Sequence, residues 1–309
     1  MEMFNRKVDQ ERIGPLKKSK TLEPLREMES FLLRSIRKYP FKASYDVMAE
    51  EFPYFETVNY TEYATCFMIH PLNSQLRNKQ MWDAYNDTDV KVLDFCSHLK
   101  SNIENKVANK YQDRQDPEKL GRFRKAGHLV VLAGSNKLKE CVCLNKLKRI
   151  RDLHDSDVYY KPHPITVHAF IGELKDILGE ELILPRDIDI YYFLMDAYKI
   201  YTTHLSESAA YAVALGKEIE PIDVFNTIHR GSFYHINRHL FEHDRIGDAQ
   251  DWMNKTFSSP KSGIINPAVD KDWKNKIIAY LDYIKEERAK YKNWYIRSKE
   301  PIKDQKSGM

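Results

Sequence analysis

Cysteines are few in this 309-residue chain, and long apolar runs are absent. The cysteines Cys66, Cys96, Cys141 and Cys143 form no CxxC pair and have no zinc-like spacing. We therefore expect no disulfide scaffold, and we expect reduced thiols in a cytoplasmic protein. No apolar run approaches the ~20 residues that span a bilayer, and the first 20 residues lack the apolar core of a secretory signal. With 42% hydrophobic and 30% charged residues, the composition is that of a globular protein.

Positive charge is unevenly distributed along the sequence, although the net charge is only +4. Residues 121–151 contain nine basic residues and one acid, and residues 1–20 contain six basic residues and three acids. Such local charge suits a polyanion or a phosphate-bearing ligand. The alternative is a solvated helix face.

The N-terminal third reads as mostly helical, with a short strand. Helical spacing of apolar residues follows Thr21, and further helices are predicted over "SQLRNKQMWDAY" and residues 90–111. "YATCFMIHP", residues 63–71, predicts a strand. A polar segment at 112–127 predicts a linker. The predicted domains are 1–120, 121–270 and a C-terminal helix within 271–309 that packs back on the body.

A different pattern begins near residue 128, where strands and helices alternate. The predicted strands are "HLVVLAG", "VYYKPHP", "ELILP", "KIYTTHLS" and "KEIEPID". Five strands that alternate with four helices predict a parallel sheet covered on both faces, and right-handed crossovers give a Rossmann-like domain. The predicted fold class is thus α/β, a doubly wound parallel sheet with a smaller, mostly helical N-terminal domain.

The second of these strands ends in "KPHP", where Lys161 precedes His163 between two prolines. Ligands of open parallel sheets bind beyond the carboxyl ends of the strands. The prolines favour an extended, stiff turn, which would direct His163 off the end of the sheet. An imidazole donor beside a lysine charge suits a phosphate oxygen. The alternative is a histidine that only terminates the strand.

A second candidate is "TTHLSESAAYAVALG", where Ser206 is suited to cap a helix and Ser208 lies in its first turn. Backbone N–H groups at a helix start favour an anion, and the alternative is a serine that only caps. The loop between these two motifs contains Leu184 and Arg186, whose backbone is predicted to meet a nucleobase.

Taken together, "YYKPHP", "ILP…DIYYFLMDA" and "YTTHLSESAAYAVALGKEIEPI" resemble the donor-binding domain of GT-B glycosyltransferases. The nearer branches are bacterial and phage transferases that share a Lys-Pro-His-Pro strand end and a serine-rich helix start. The resemblance implies that His163, Ser206 and Ser208 hold the phosphates of a UDP- or CMP-linked sugar, with Lys161 matching the motif and no metal required. The sequence differs from the family's serine motif at Glu207, which stands where the family has a serine. Its carboxylate would lie beside the phosphates or face the sugar hydroxyls.

The resemblance also suggests an acceptor. Small transferases of this kind in phages attach a sugar to the hydroxymethyl group of a modified base, which makes double-stranded DNA the favoured partner and the host cytoplasm the expected location. The basic residues Arg122, Arg124 and Lys125 would contact the DNA backbone. The aromatic residues Tyr54, Phe55, Tyr60 and Trp82 would stack on bases or, as the alternative, form ordinary core. Other possibilities are a transferase for a bacterial surface glycan and a non-catalytic nucleotide- or DNA-binding protein.

Activation of the acceptor hydroxyl needs a base, for which His70 and Glu207 are the candidates and Asp46 a further one. His70 ends the strand at 63–71 and is followed by Pro71. The alternative for His70 is a packed histidine. Three more histidines, at 235, 239 and 243, have the spacing of one helix face. No carboxylate or cysteine set accompanies them, so we expect a basic helix and not a metal site.

Overall fold

A computed structural model describes residues 23–45, 57–105, 120, 123–133, 141–164, 166–186, 188–223 and 231–299. The strands are β1 (Lys42–Tyr45), β2 (Thr57–Tyr63), β3 (Cys66–Pro71), β4 (His128–Val131), β5 (Val158–Lys161), β6 (Lys199–Thr202), β7 (Glu218–Pro221) and β8 (Ile264–Ile265). The α-helices are α1 (Glu23–Ser35), α2 (Ser74–Tyr85), α3 (Phe95–Glu104), α4 (Leu144–His154), α5 (His168–Leu178), α6 (Ile190–Asp196), α7 (Ser208–Ala214), α8 (Tyr234–Phe241), α9 (Ile246–Ser258) and α10 (Trp273–Lys299).

The N-terminal third contains a sheet as well as the expected helices. Its strand order is β1-β2-β3-β8, with β1 and β2 parallel and the other pairs antiparallel. Strand β3 is buried along its whole length, which explains why its apolar run was recognisable in the sequence. Strand β2 was not recognisable because three of its buried residues are polar: Asn59, Thr61 and Glu62.

Helices α1 and α10 pack on this sheet and share one apolar cluster. Leu25 and Leu32 of α1 lie in that cluster with Ile277 and Leu281 of α10. The predicted helix at 74–85 is confirmed as α2, and the side chain of Asn73 caps it by accepting a hydrogen bond from the Leu76 N–H. The helix predicted over 90–111 is described over the shorter range of α3.

The second sheet has the order β5-β4-β6-β7, and every pair in it is parallel. Alternate residues of β4 enter different cores: Leu129 faces the cluster that includes α6 and α9, while Val130 faces the cluster under α4 and α5. Both faces are therefore covered, as parallel sheets require. The predicted α/β class with a doubly wound parallel sheet is confirmed.

One predicted strand, "ELILP", is reduced to a single parallel bridge between Tyr160 and Ile183. A 3₁₀ turn over Glu180–Leu182 occupies its first half. If the segment at Ile183 is counted as a strand, it lies beside β5, and the order across the sheet is Ile183 segment, β5, β4, β6, β7. Numbered by position along the chain from β4, this order is 3-2-1-4-5, which is the first part of the Rossmann order. The direction of winding reverses between β4 and β6, and the crevice for a ligand in such folds opens at that point.

The chain returns to the N-terminal sheet near its end. Ile264 pairs with Met68 and Ile265 with Phe67, so the return occurs before residue 270. The division into 1–120, 121–270 and 271–309 stays a prediction; α10 shares an apolar cluster with α1. Across the described ranges, no helix is long and apolar enough to cross a membrane. Four thiols are free, and only that of Cys143 is exposed.

Candidate functional site

Lys161 is the last residue of β5, and it is buried with 2% of its surface exposed. Its Nζ donates hydrogen bonds to the carbonyls of Pro162 and Arg186, each at 2.8 Å. The ammonium group therefore links the KPHP turn to the loop that follows Ile183. Burial of a lysine is costly unless its charge is paired or solvated by polar groups, and here backbone carbonyls provide that solvation.

His163 lies in the turn beyond β5 and is half-buried. Its carbonyl accepts a hydrogen bond from the Thr166 N–H at 2.9 Å, and the Thr166 carbonyl accepts one from Nη1 of Arg186 at 3.2 Å. The Leu184 N–H donates to the Tyr160 carbonyl at 2.9 Å. The structure thus brings the KPHP turn and the loop at 184–186 into direct contact.

The serine motif forms a tight turn after β6, which we call the serine loop (residues 203–208). The Ser206 N–H donates to the Thr203 carbonyl at 3.1 Å, and Ser206 Oγ accepts from the Ser208 N–H at 3.2 Å. Ser206 therefore makes a local bond at the start of α7, although the N-cap position of that helix is occupied by Glu207 and not by Ser206 as the sequence suggested. The helix has only seven residues, so the hydroxyl groups matter more here than a helix dipole. Ser208 is buried with 6% exposed.

The side chain of Asn237 from α8 and the backbone of the β2–β3 turn hold the serine loop. Nδ2 of Asn237 donates to the carbonyls of His204 and Ser206, both at 2.8 Å, and its Oδ1 accepts from the Tyr63 hydroxyl at 2.6 Å. Oε2 of Glu207 accepts from the Ala64 N–H at 3.0 Å. The serine loop is consequently fixed to the turn between β2 and β3, so it is ordered before any ligand binds.

The KPHP turn and the serine loop lie at the same edge of the second sheet, on either side of β4. Strands β5 and β6 are both hydrogen-bonded to β4. Neighbouring strands are about 4.8 Å apart, so the two strand ends are separated by about 10 Å. Side chains from both strand ends can reach one phosphate group over such a distance. The two ends also lie beside the point between β4 and β6 at which the direction of winding reverses.

His70, a predicted base, is buried with 3% exposed. Nδ2 of Asn59 donates to its Nε2 at 3.0 Å, and its Nδ1 donates to the Pro71 carbonyl at 2.9 Å. Burial and the nearby Arg77 charge lower its pKa to about 3. The ring is therefore neutral at physiological pH with both nitrogens engaged, and its catalytic role stays a prediction that requires local rearrangement.

Arg124 and Lys125, two of the three basic residues predicted to contact DNA, lie at the other edge of the sheet. Arg124 and Lys125 precede β4 and so lie at the amino ends of the strands; Arg124 is 5.9 Å from the Tyr159 ring centroid, and Lys125 pairs with Asp196 at 2.8 Å. An open groove of about 1050 Å³ lies on this side, and it is remote from the KPHP turn. Its mixed lining includes Arg124 and Lys175 together with several acids.

The remaining candidates are divided between the core, the surface and the undescribed segments. Tyr60 is buried, and its hydroxyl donates to Glu29 at 2.9 Å, whereas Trp82 is 61% exposed. Tyr54, Phe55, Asp46 and Arg122 lie outside the described residues, as do residues 1–22.

The three spaced histidines do not converge on one site, although His239 and His243 both contact Trp252. His235 is buried, and its Nε2 lies 2.9 Å from Ser74 Oγ. The His239 ring stacks on Trp252 with centroids 5.0 Å apart, and His243 lies beyond the end of α8. In the part of the chain that the structure describes, no group of three or more His, Cys, Asp or Glu residues could hold a metal ion.

Sequence reasoning missed Asn237, Asp223 and the ring of His204 at this edge. His204 follows β6, and Asp223 follows the neighbouring strand β7, so the two could have been paired from strand order. Strand order, however, is not recorded in a single sequence. Asn237 had no signal because it belongs to a helix that is distant in the chain.

The sequence matches no protein-family model and no curated protein. Among solved structures, the chain is similar to KpsC of Thermosulfurimonas dismutans, a beta Kdo 2,7 transferase, with a TM-score of 0.41 and 12% identity. The similarity covers 80% of this chain and 88% of that one. At this level of similarity no activity can be transferred from one protein to the other.

Proposed function

We propose that this protein is a glycosyltransferase that takes a sugar from a nucleotide donor bound at the carboxyl edge of the second sheet. One observation carries the proposal: the KPHP turn and the serine loop flank β4 where the winding of the sheet reverses. Phosphate-binding chemistry from two separate βα units then faces one crevice, which is where such folds bind nucleotides.

The residues of this edge have complementary roles in the proposal. His163 and the hydroxyls of Ser206 and Ser208 donate to phosphate oxygens of a UDP- or CMP-linked sugar. Lys161 holds the KPHP turn against the loop at 184–186, which would meet the nucleobase. Donors that are fixed before the reaction stabilise the charge that develops on the departing phosphate, and no metal is required for this.

Glu207 has an anchoring contact in addition to its predicted role. Its carboxylate accepts from the Ala64 N–H, so it positions the serine loop against the β2–β3 turn. The predicted contact with the sugar, or a role in acid–base catalysis, stays part of the proposal beside this anchoring role.

The acceptor to be tested first is the hydroxymethyl group of a modified base in double-stranded DNA, because of the basic segments at 1–20 and 121–151. Arg124 and Lys125 lie at the opposite edge from the crevice, so in this proposal they contact flanking backbone and not the reacting base. A bacterial surface glycan is the alternative acceptor, and a non-catalytic nucleotide- or DNA-binding protein is the alternative class.

The test is incubation with UDP-, CMP- and GDP-sugars, with hydroxymethylated duplex DNA or a capsular oligosaccharide as acceptor, followed by mass measurement of the products. We expect transfer or donor hydrolysis in the wild type and a loss of at least about 100-fold in H163A, the scale of removing one preorganised donor. The matched control is H168A, which removes an exposed histidine at the start of α5. Equal activity in H163A and H168A would refute the proposed site.

The two acceptors are separated by the same experiment. Mass gain on nucleosides together with strongly salt-dependent duplex binding supports DNA. Mass gain on the oligosaccharide alone refutes the DNA acceptor and retains the transferase. Nucleotide binding without turnover on any donor supports the non-catalytic class.

A further inference from the structure

A buried histidine–carboxylate pair lies beside the serine loop. Nδ1 of His204 is 2.8 Å from Oδ1 of Asp223, and the backbone N–H of His204 donates to Oδ2 of the same carboxylate at 2.9 Å. The Asp223 side chain is fully buried, whereas 15% of the His204 side chain is exposed. Both oxygens of one carboxylate are therefore used to fix a single residue.

The pair determines which ring nitrogen carries the proton. An ionised carboxylate only accepts hydrogen bonds, so Nδ1 of His204 is the donor and Nε2 is the atom left for an exchangeable proton. The ring is held between aromatic neighbours, with centroid distances of 5.2 Å to Tyr234 and 4.8 Å to Phe241. An imidazole that is fixed in tautomer and orientation in this way is suited to proton transfer or anion contact.

The charged groups that the structure describes near the pair have partners of their own. The charged groups of α8 and its C-cap that act on neighbouring Tyr234 are Arg238 and Glu242, and these pair with each other at 2.7 Å. Lys146 of α4 donates to the carbonyl of Pro221, two residues before Asp223. Asp223 is thus the acid in direct contact with His204.

The position of the pair connects it to the proposed donor site. His204 belongs to the serine loop, and its carbonyl shares the Asn237 amide with the carbonyl of Ser206. Asp223 follows β7, the strand next to β6. The imidazole therefore lies at the carboxyl edge of the sheet, on the side of the serine loop opposite to the KPHP turn.

We propose that His204, oriented by Asp223, is a second imidazole of the phosphate site, and that it binds a donor phosphate oxygen through Nε2. This inference rests on the proposed function. In the bound state Nε2 donates a hydrogen bond to the phosphate oxygen, while the Asp223 carboxylate holds Nδ1 of the same ring. No covalent bond changes in this step.

The test is NMR of the full chain with ¹⁵N-labelled histidine, titrated with CMP, UDP and inorganic phosphate. The chain has 11 histidines, and single His→Gln variants assign the signals of His163 and His204. We expect nucleotide to shift the Nε2 signals of both residues, because both rings contact phosphate oxygens in the proposal. In D223N we expect the His204 response to be lost and the His163 response to be kept.

Calorimetry gives an independent readout. We expect H204N to bind CMP or UDP about tenfold more weakly than the wild type, because one phosphate contact is lost. If D223N does not fold, the wild-type titration and H204N still decide the matter. A response of His163 without one of His204 would overturn the inference alone, and silence of both would overturn the proposed function with it.

Discussion

The backbone N–H of Ala64 donates a 3.0 Å hydrogen bond to Oε2 of Glu207, which joins the turn of the N-terminal sheet to the serine loop of the second sheet. The two residues are 143 positions apart in the sequence. A contact of this kind makes the geometry of the proposed phosphate site depend on the packing of both sheets.

Removal of the Glu207 carboxylate should loosen this connection. We expect E207A to lower the free energy of unfolding by about 1–2 kcal/mol, because a charge-assisted hydrogen bond is lost. E207Q retains an acceptor and should lose less. Urea unfolding measures both, with E181A, at an exposed glutamate, as the control. If E207Q instead keeps its stability and loses kcat by 100-fold or more, Glu207 is a catalytic residue as the sequence predicted.

The β2–β3 turn itself is strained. Ala64 and Thr65 have φ values of 47° and 65°, which a two-residue hairpin turn of type I′ requires and which a β-branched residue adopts poorly. We expect T65G to raise the free energy of unfolding by about 0.5 kcal/mol, since relief of strain exceeds the entropic cost of glycine. T57G, at the start of β2, should be destabilising. Destabilisation of T65G similar to that of T57G would contradict the strain argument.

The buried imidazoles should make the protein sensitive to acid. Burial lowers the pKa of His70 to about 3 and that of His235 to about 2, whereas an unfolded histidine has a pKa near 6.5. Below pH 6.5 the unfolded chain therefore binds protons that the folded chain does not, so stability is complete above about pH 6.5 and falls as the pH is lowered toward 3.

The expected slope is about 1 kcal/mol per pH unit for each of these residues between pH 6 and 4. Chemical denaturation at several pH values should show a smaller slope for H70Q, which retains hydrogen-bonding groups, and an unchanged slope for H168Q. An identical slope for H70Q and the wild type would show that His70 titrates normally.

Lys161 should affect both stability and ligand affinity. In K161M the carbonyls of Pro162 and Arg186 lose a charged donor, at a cost of about 1–3 kcal/mol. Because the two loops then separate, we expect weaker binding of CMP or UDP by several-fold, measured by calorimetry. K175M, on a partly exposed lysine that pairs with Glu180, is the control. Reduced stability with unchanged affinity would limit Lys161 to a structural role.

The parallel sheet could be predicted because its strands are short apolar runs, and each run is followed by glycine, proline or a residue that favours the start of a helix. β2 was not predicted because its buried face carries the polar residues Asn59 and Thr61, and the Asn59 side chain is satisfied by contacts from other elements. Ser44 Oγ, for example, donates to Oδ1 of Asn59. Periodicity detects apolar burial, and it cannot detect polar burial that depends on a distant partner.

The sequence by itself determined the alternation of strands and helices and the presence of a proline-flanked histidine and a serine-containing turn at two strand ends, since these depend on local backbone preferences. Only the tertiary structure decided that β5 and β6 flank β4, that Arg124 and Lys125 lie at the opposite edge, and that Asp223 contacts His204. Those relationships follow from strand order and helix packing, which arise from burial of surfaces far apart in the chain.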